Sequence, residues 1–455
     1  MNPSRFEYSV RAVLGDNLSG NRRLGGALLI RALCLLILVF QLGCKRDDGN
    51  GVVTYRFWGL GREGEVVTDM LKDFEREHPN IRVRVQQIPW SAAHEKLLTA
   101  FVGNASPDVV QMGNTWIPEF VAVHALEPLD SLLAQSAALD STRYFPGIWR
   151  TNVIDGKAYG VPWYVDTRLV FYRKDILARA GYPTFPTTWA DWILAMRAIK
   201  KLVGPDRYAI YLPTNEWNQP VIFGLQSGSP LLKDHFSYGA FSDPAFRRAF
   251  DFYTSIYRDS LAPVKGLNDV ANAYQEFERG YFAMWITGPW NLGEFARRLP
   301  DSMQGSWATA PVPGPDGAAS GVSLAGGSSL AIFRSSKHKK EAWELVEFLS
   351  RPEQQRKFYA LTGDLPARMD AWNDSLLAAD PNRRTFWEQL QRVEPTPPVP
   401  EWEQVATMVL DYSEQAIRGG VPNEVVLGRL DRAVNALLEK RRWMMERGSL
   451  ASQPH

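Results

Sequence analysis

At 455 residues the chain is too long for one hydrophobic core, so two domains or lobes are expected. The net charge is +1; residues 1–43 hold five Arg and two acids, a net +3, which leaves the remainder at −2 and excludes a basic field for nucleic acid. The Cys at 34 and 44 are the only two, which excludes a disulfide framework beyond Cys44, and the scattered His show no zinc spacing, so neither metal nor cofactor is expected.

Taken in order, Arg22, Arg23 and Arg31 precede a short apolar core, ALCLLILVFQL (32–42), followed by Gly43 and Cys44. A basic region, a short apolar region and a small residue before a cut describe a secretory signal at 1–43. Eleven residues are too few to span a bilayer comfortably. The Leu42-Gly43-Cys44 ending resembles a bacterial lipobox, with Cys44 as the lipidated first residue, although Gln41 stands where an aliphatic residue is usual.

VVTYRFW (52–58) predicts a first strand, residues 59–64 a glycine-rich turn, and Val66, Val67, Met70, Leu71 and Phe74 a helix stopped by His78-Pro79. Alternation over 81–86 predicts a second strand, Leu97, Leu98 and Phe101 another helix, and DVVQM (108–112) a third strand. This βαβαβ order argues for a mostly parallel, helix-covered sheet. The stretch AYGVPWYVDTRLVFYRKD (158–175) is strand-like but interrupted by Pro162, which removes a ladder donor, so two extended segments meeting at a bend are expected there. Helices are expected over 189–201, 245–257 and 341–348, strands near 307–312 and 321–332, and residues 275–290 read as helix, tight turn, strand, turn. PTPPVP (395–400) reads as a stiff connector, the rest to about 447 as helical, and 448–455 as a loose tail.

DFEREHPNIRVRV (73–85), ASPDVVQM (105–112), LEPLD (126–130), DGKAYGVPW (155–163), GYFAMWITGPW (280–290), GGSSLAI (326–332), SKHKKEAWELVEFLSRPEQQ (336–355) and GDLPAR (363–368) occur in one order over roughly 300 residues. In this the chain resembles an extracellular solute-binding protein of a bacterial ABC importer, of the sugar-binding group that includes maltose- and trehalose-binding proteins. The resemblance implies an α/β, two-lobed periplasmic-binding-protein fold with an interlobe ligand cleft and crossing hinge strands. Lobe 1 is expected from 44–165 and 309–340, and lobe 2 from 166–308 and 341–455. The chain would cross near 165–168, near 307–309 and around Lys340. The implied partners are a sugar ligand, the membrane permease and, through a lipid, the membrane; no nucleic acid partner is implied, and a monomer is expected.

A sugar has apolar C–H faces and a rim of hydroxyls, so its site should stack aromatics and offer planar polar groups. The family's pattern places Arg62, Glu63 and Glu65 after strand 1, and Gln111, Asn114 and Trp116 at the end of strand 3. It places Tyr164, Asp166 and Arg168 at the hinge, Trp285 and Trp290 around the GPW turn, Gly326 and Gly327 where backbone approaches ligand, and Arg368 after GDLP. Trp217 and Trp402 are looser candidates. Trp163 and Trp285 equally suit core, and Asp108 suits a strand brace.

Three rival readings stand beside this one. The turn GLGREG (59–64) satisfies GxGxxG after a strand, but strand 2 ends in Gln86-Gln87-Ile88 without an acid for a ribose. A secreted glycosidase would need two carboxylates, for instance Asp166 with Glu63 or Glu65, roughly 5–10 Å apart. A surface lipoprotein with an adhesive face would lack ligand-dependent closure. Within the binder reading, Arg62, Arg168 and Arg368 together could serve the phosphate of a glycerol-phosphate-type ligand.

Overall fold

The structure is a computed structural model and describes residues 51–373, 377 and 379–447. The signal segment, Cys44 and the tail from 448 lie outside the described residues. The first sheet carries β1 (Val53–Leu60), α1 (Gly61–Glu77), β2 (Ile81–Ile88), α2 (Trp90–Val102), β3 (Val109–Gly113) and α3 (Ile117–Ala122). β4 (Val161–Asp166) closes this part, and β5 (Leu169–Arg173) opens the second sheet. There follow α4 (Trp189–Val203), β6 (Tyr208–Tyr211), α5 (Asn218–Gln226), α6 (Pro244–Arg258), β7 (Phe282–Thr287), α7 (Trp290–Arg298) and β8 (Trp307–Ala310). β9 (Gly326–Ile332), α8 (Lys339–Leu349), α9 (Pro352–Thr362) and β10 (Leu365–Pro366) return to the first sheet. α10 (Pro381–Leu390), α11 (Trp402–Gly419) and α12 (Asn423–Leu437) complete the second.

The two sheets define the two lobes. The first has the order β10-β4-β9-β3-β1-β2 and the second β8-β5-β7-β6. β1 runs parallel to β2 and β3, as the βαβαβ pattern predicts, while β9 is antiparallel to both β3 and β4. In the second sheet β7 is parallel to β6 and antiparallel to β5.

Strand 1 ends later than expected. It continues to Leu60 and passes straight into α1, so residues 59–64 are not a separate turn. The two glycines make this possible: a Cβ on Gly59 would lie 2.6 Å from Gly64 Cα, so only bare backbone lets the helix start lie on the strand end. Arg62 and Glu63 consequently sit in the first helical turn, where a carboxylate meets the positive end of the helix dipole.

Pro162 does not break its strand. β4 runs through it between β10 and β9, and the ladder absorbs it with a register shift: Ser328 faces Tyr164, Ser329 faces Pro162, and Trp163 is skipped. β10 pairs only with Tyr164 and Val165, so no donor is needed from Pro162 on that side. A bulge is where a sheet tolerates proline.

The lobe boundaries need correction. The first crossing is Thr167–Arg168, between β4 and β5. β8 belongs wholly to the second sheet, so the second crossing is later than 307–309, in the segment 311–325 that joins β8 to β9. No crossing occurs at Lys340. The apolar face of α8 stays in the first lobe, where Phe348 lies 5.4 Å from Phe74 of α1, and β10 extends the first sheet. After β10 the chain is back at the second sheet by α10, where Asn382 Oδ1 accepts from the backbone N–H of Thr309 at 2.9 Å. Val393–Glu394 then pairs parallel with Ser323–Leu324, tying the connector to the second crossing.

Candidate functional site

The C-terminal ends of β1, β3 and β4, the N-terminus of α7 and the second crossing surround a cavity of about 620 Å³ between the sheets. Ten of the expected residues line it: Arg62, Glu63, Asn114, Trp116, Asp166, Arg168, Trp217, Trp290, Gly326 and Gly327. Trp90, Thr115, Thr167, Asn218 and Asp364, none of them expected, line it as well.

Glu63 is the best supported of these groups. Its Oε1 accepts from the Tyr164 hydroxyl at 3.0 Å, and Trp90 Nε1 donates to both carboxylate oxygens at 3.3 and 3.4 Å. Gln111 holds this assembly from behind: its Oε1 accepts from the Leu60 N–H at 2.7 Å and its Nε2 donates to the Tyr164 oxygen at 3.4 Å. Tyr164 and Gln111 are buried, so they position Glu63 and do not line the cavity. Burial raises the Glu63 carboxyl above its ordinary value, and the hydrogen bonds from its own backbone, Tyr164 and Trp90 oppose that only in part. Asp364 is pushed up to about 7, first by burial and next by the negative charge of Glu63.

The hinge side is a stack. The Arg168 guanidinium donates to Asp166 Oδ1 at 2.5 Å and lies 4.7 Å from the centroid of the Trp290 ring. Asp166 comes from the last position of β4, Arg168 from the crossing, and Trp290 from the start of α7 on the second lobe. Trp290 is 41% exposed, which leaves ring surface free for a ligand. Opposite, Trp90 and Trp116 meet edge to face at 5.6 Å. Gly327 has φ +129, and a Cβ there would lie 2.3 Å from the Tyr164 carbonyl oxygen, so backbone forms this part of the floor.

Four expected residues lie elsewhere. Arg368 is 2% exposed and bonds to both Asp370 carboxylate oxygens and to the Ala138 and Ser350 carbonyls, a brace within the first lobe. Trp285 is buried among Tyr211, Tyr274, Phe282 and Phe295 because the apolar run that contains it is a central strand. Trp402 is 1% exposed and stands edge-on to Trp217 at 5.8 Å, so it backs a cavity residue without reaching the cavity. Glu65, on the exposed side of α1, accepts from Gln87 at 3.0 Å. Trp163 is core, stacked on Phe358 at 4.2 Å, and Asp108 braces its strand through the Arg56 N–H and the Ser336 hydroxyl.

Of the missed residues, Trp90 had a signal: an aromatic directly after Pro89 opens a helix at the end of a parallel strand. Asp364 lies inside the GDLPAR match, four residues before the Arg chosen instead.

The fold and cleft define a two-lobed binding protein, and the chain belongs to the bacterial extracellular solute-binding protein family, whose model matches residues 58–356. Among solved structures it is similar to the sugar-binding protein MalE of Xanthomonas citri, with 49% identity and a TM-score of 0.84 over 87% of this chain and 99% of that one. It is 28% identical to an uncharacterized lipoprotein of Streptomyces antibioticus, covering 83% of this chain and 86% of the relative. It is 27% identical to the diacetylchitobiose binding protein DasA of Streptomyces coelicolor, covering 79% and 83%. The family is one of binding proteins rather than enzymes.

Proposed function

We propose that the chain is a lipid-anchored, extracytoplasmic receptor that binds a neutral di- or oligosaccharide between its lobes and delivers it to the membrane permease of an ABC importer. The observation that carries this reading is the pairing, in one cavity, of Trp90, Trp116, Trp217 and Trp290 with Glu63, Asp166, Asp364, Arg62 and Arg168. Flat apolar faces suit pyranose C–H surfaces, and charged acceptors suit the hydroxyl rim. The similarity to a sugar-binding protein over nearly the whole of its length supports the same ligand class.

The charge balance speaks against a phosphate ligand. Arg368 is away from the cleft and Arg168 is already paired with Asp166, which leaves Arg62 beside the two remaining carboxyl groups, Glu63 and Asp364. A dianion would therefore meet no net positive charge in the cavity lining.

A thermal-shift screen of the purified protein against disaccharides, trisaccharides and sugar phosphates tests the reading. A tight neutral sugar should raise the melting temperature by mass action. A response to sugar phosphates alone overturns the neutral-ligand reading, and hydrolysis of a bound disaccharide in the same samples overturns the binder in favour of a glycosidase. Membrane retention that survives Cys44→Ala removes the lipid anchor.

A further inference from the structure

A second, smaller cavity of about 260 Å³ adjoins the first. Asn114, Thr115 and Ala325 line both, and Pro118, Val153 and Pro395 to Pro398 are among the residues that complete the smaller one. It falls below the range of roughly 300–1,000 Å³ in which small-molecule sites occur, so it is an annex of the main cavity and not a site of its own.

Asn114 stands at the junction. It is 4% exposed; its Oδ1 accepts from the Ser329 hydroxyl at 2.9 Å, and its Nδ2 has no partner among the described residues. A buried amide donor left unmade costs free energy, and most buried side-chain donors in folded proteins are satisfied. A ligand hydroxyl passing the junction would satisfy it.

The walls of the annex are bonded to one another. Glu394 accepts from the Ala325 N–H at 2.9 Å, its carboxylate pairs with Arg150 at 2.9 Å, and Val393 pairs with Ser323. These bonds join the proline connector to the crossing and to the first lobe. At the other end of the cleft, beyond Trp290, a space of about 960 Å³ lies between α7 and α9. Its walls are on opposite lobes, so closure changes it.

We infer that the ligand is a linear saccharide of three or more units, threaded from the tryptophan-lined cavity past Asn114 so that one terminal ring rests against the proline connector. The inference rests on the sugar reading above and adds the length and direction of the ligand. Proline rings offer the apolar surface a pyranose face requires, and Asn114 Nδ2 offers the donor.

Calorimetry on the intact protein with two-, three- and four-unit α-1,4-glucans and β-1,4-linked chitooligosaccharides tests it. The trisaccharide of the series that binds should be at least tenfold tighter than its disaccharide. Val153→Phe, which fills the annex, should bring the trisaccharide down to the disaccharide level while the disaccharide changes less than twofold. Asn114→Asp, close to isosteric, should weaken the trisaccharide more than the disaccharide. Equal binding of di- and trisaccharide by the wild type, or equal losses for both in the Val153→Phe protein, overturns the annex and leaves the sugar receptor standing. Binding of no saccharide removes both. Melting temperatures without sugar establish that each variant is folded.

Discussion

The Tyr164 hydroxyl donates to Glu63 Oε1 across 3.0 Å, linking a hinge strand to the first turn of α1 over 101 positions of sequence. The bond is buried and its acceptor is a carboxylate. Tyr164→Phe leaves Glu63 with Trp90 as its side-chain donor. Loss of a hydrogen bond to a charged group costs about 1.5–3 kcal/mol. We expect a loss of that size in denaturant unfolding, together with weaker sugar affinity. Unchanged stability and affinity would show that the bond does no positioning.

Asp364 makes the fold sensitive to pH. Its folded value, pushed up to about 7 by burial and by Glu63, lies well above the unfolded carboxylate value of about 4. Between those two values the folded chain holds a proton that the unfolded chain has released. Stability is therefore greatest at the acidic end of the window, falls as pH rises through it, and levels off above it. Glu63, also raised by burial, acts in the same direction. The ligand-free melting temperature of the wild type should decline from about pH 5 to 7.5 more steeply than that of Asp364→Asn. Parallel profiles would mean that Asp364 titrates normally.

Trp290 should carry much of the ligand energy. Its free face borders the cavity while the Arg168 guanidinium occupies its other surroundings at 4.7 Å. A half-exposed tryptophan at the centre of a binding surface behaves as a hot spot, worth about 2 kcal/mol or more on truncation. Trp290→Ala should weaken sugar binding by that amount with little change in melting temperature. Arg168→Ala should weaken it as well, since it strips the partner from Asp166 and the support from Trp290. Calorimetric affinity within twofold of wild type for both variants would place the ligand elsewhere.

Arg368 is expected to behave in the opposite way. Its side chain is 3% exposed and that of Asp370 is 30% exposed, so Arg368→Ala leaves a partly buried carboxylate without its main partner. Breaking a buried pair costs about 3–5 kcal/mol, and the exposure of Asp370 argues for the lower end. The folded fraction should bind sugar with wild-type affinity; a selective loss of affinity would return Arg368 to the site.

The sequence was most legible where a local pattern matched a local structure. The alternation of 81–86 and the helical spacing from Val66 to Phe74 became β2 and α1. The lone acid Asp166 reached the cavity because it ends an otherwise apolar run, and Trp290 because it follows Gly288-Pro289 at the start of α7. Pro162 misled because its cost depends on what stands opposite, and the bulge at Ser328 and Ser329 is a property of another strand. Trp285 and Trp402 misled because an aromatic suits a core as well as a cleft, and only burial separates the two. The crossings moved because α8 looks the same whichever sheet its apolar face covers.

Length and periodicity pointed to an α/β chain of two domains or lobes, and its ordered motifs pointed to the family it resembles. These are properties of local pattern, charge and order along one dimension. Which residues meet was decided only in three dimensions. Glu63, Tyr164, Trp90 and Asp364 are distant in sequence, and strand register brings them together at the ends of β1 and β4. Arg368 lies just past β10 and braces the first lobe, and Asn114 lies in the helical turn just past β3, which brings it to the junction of two cavities.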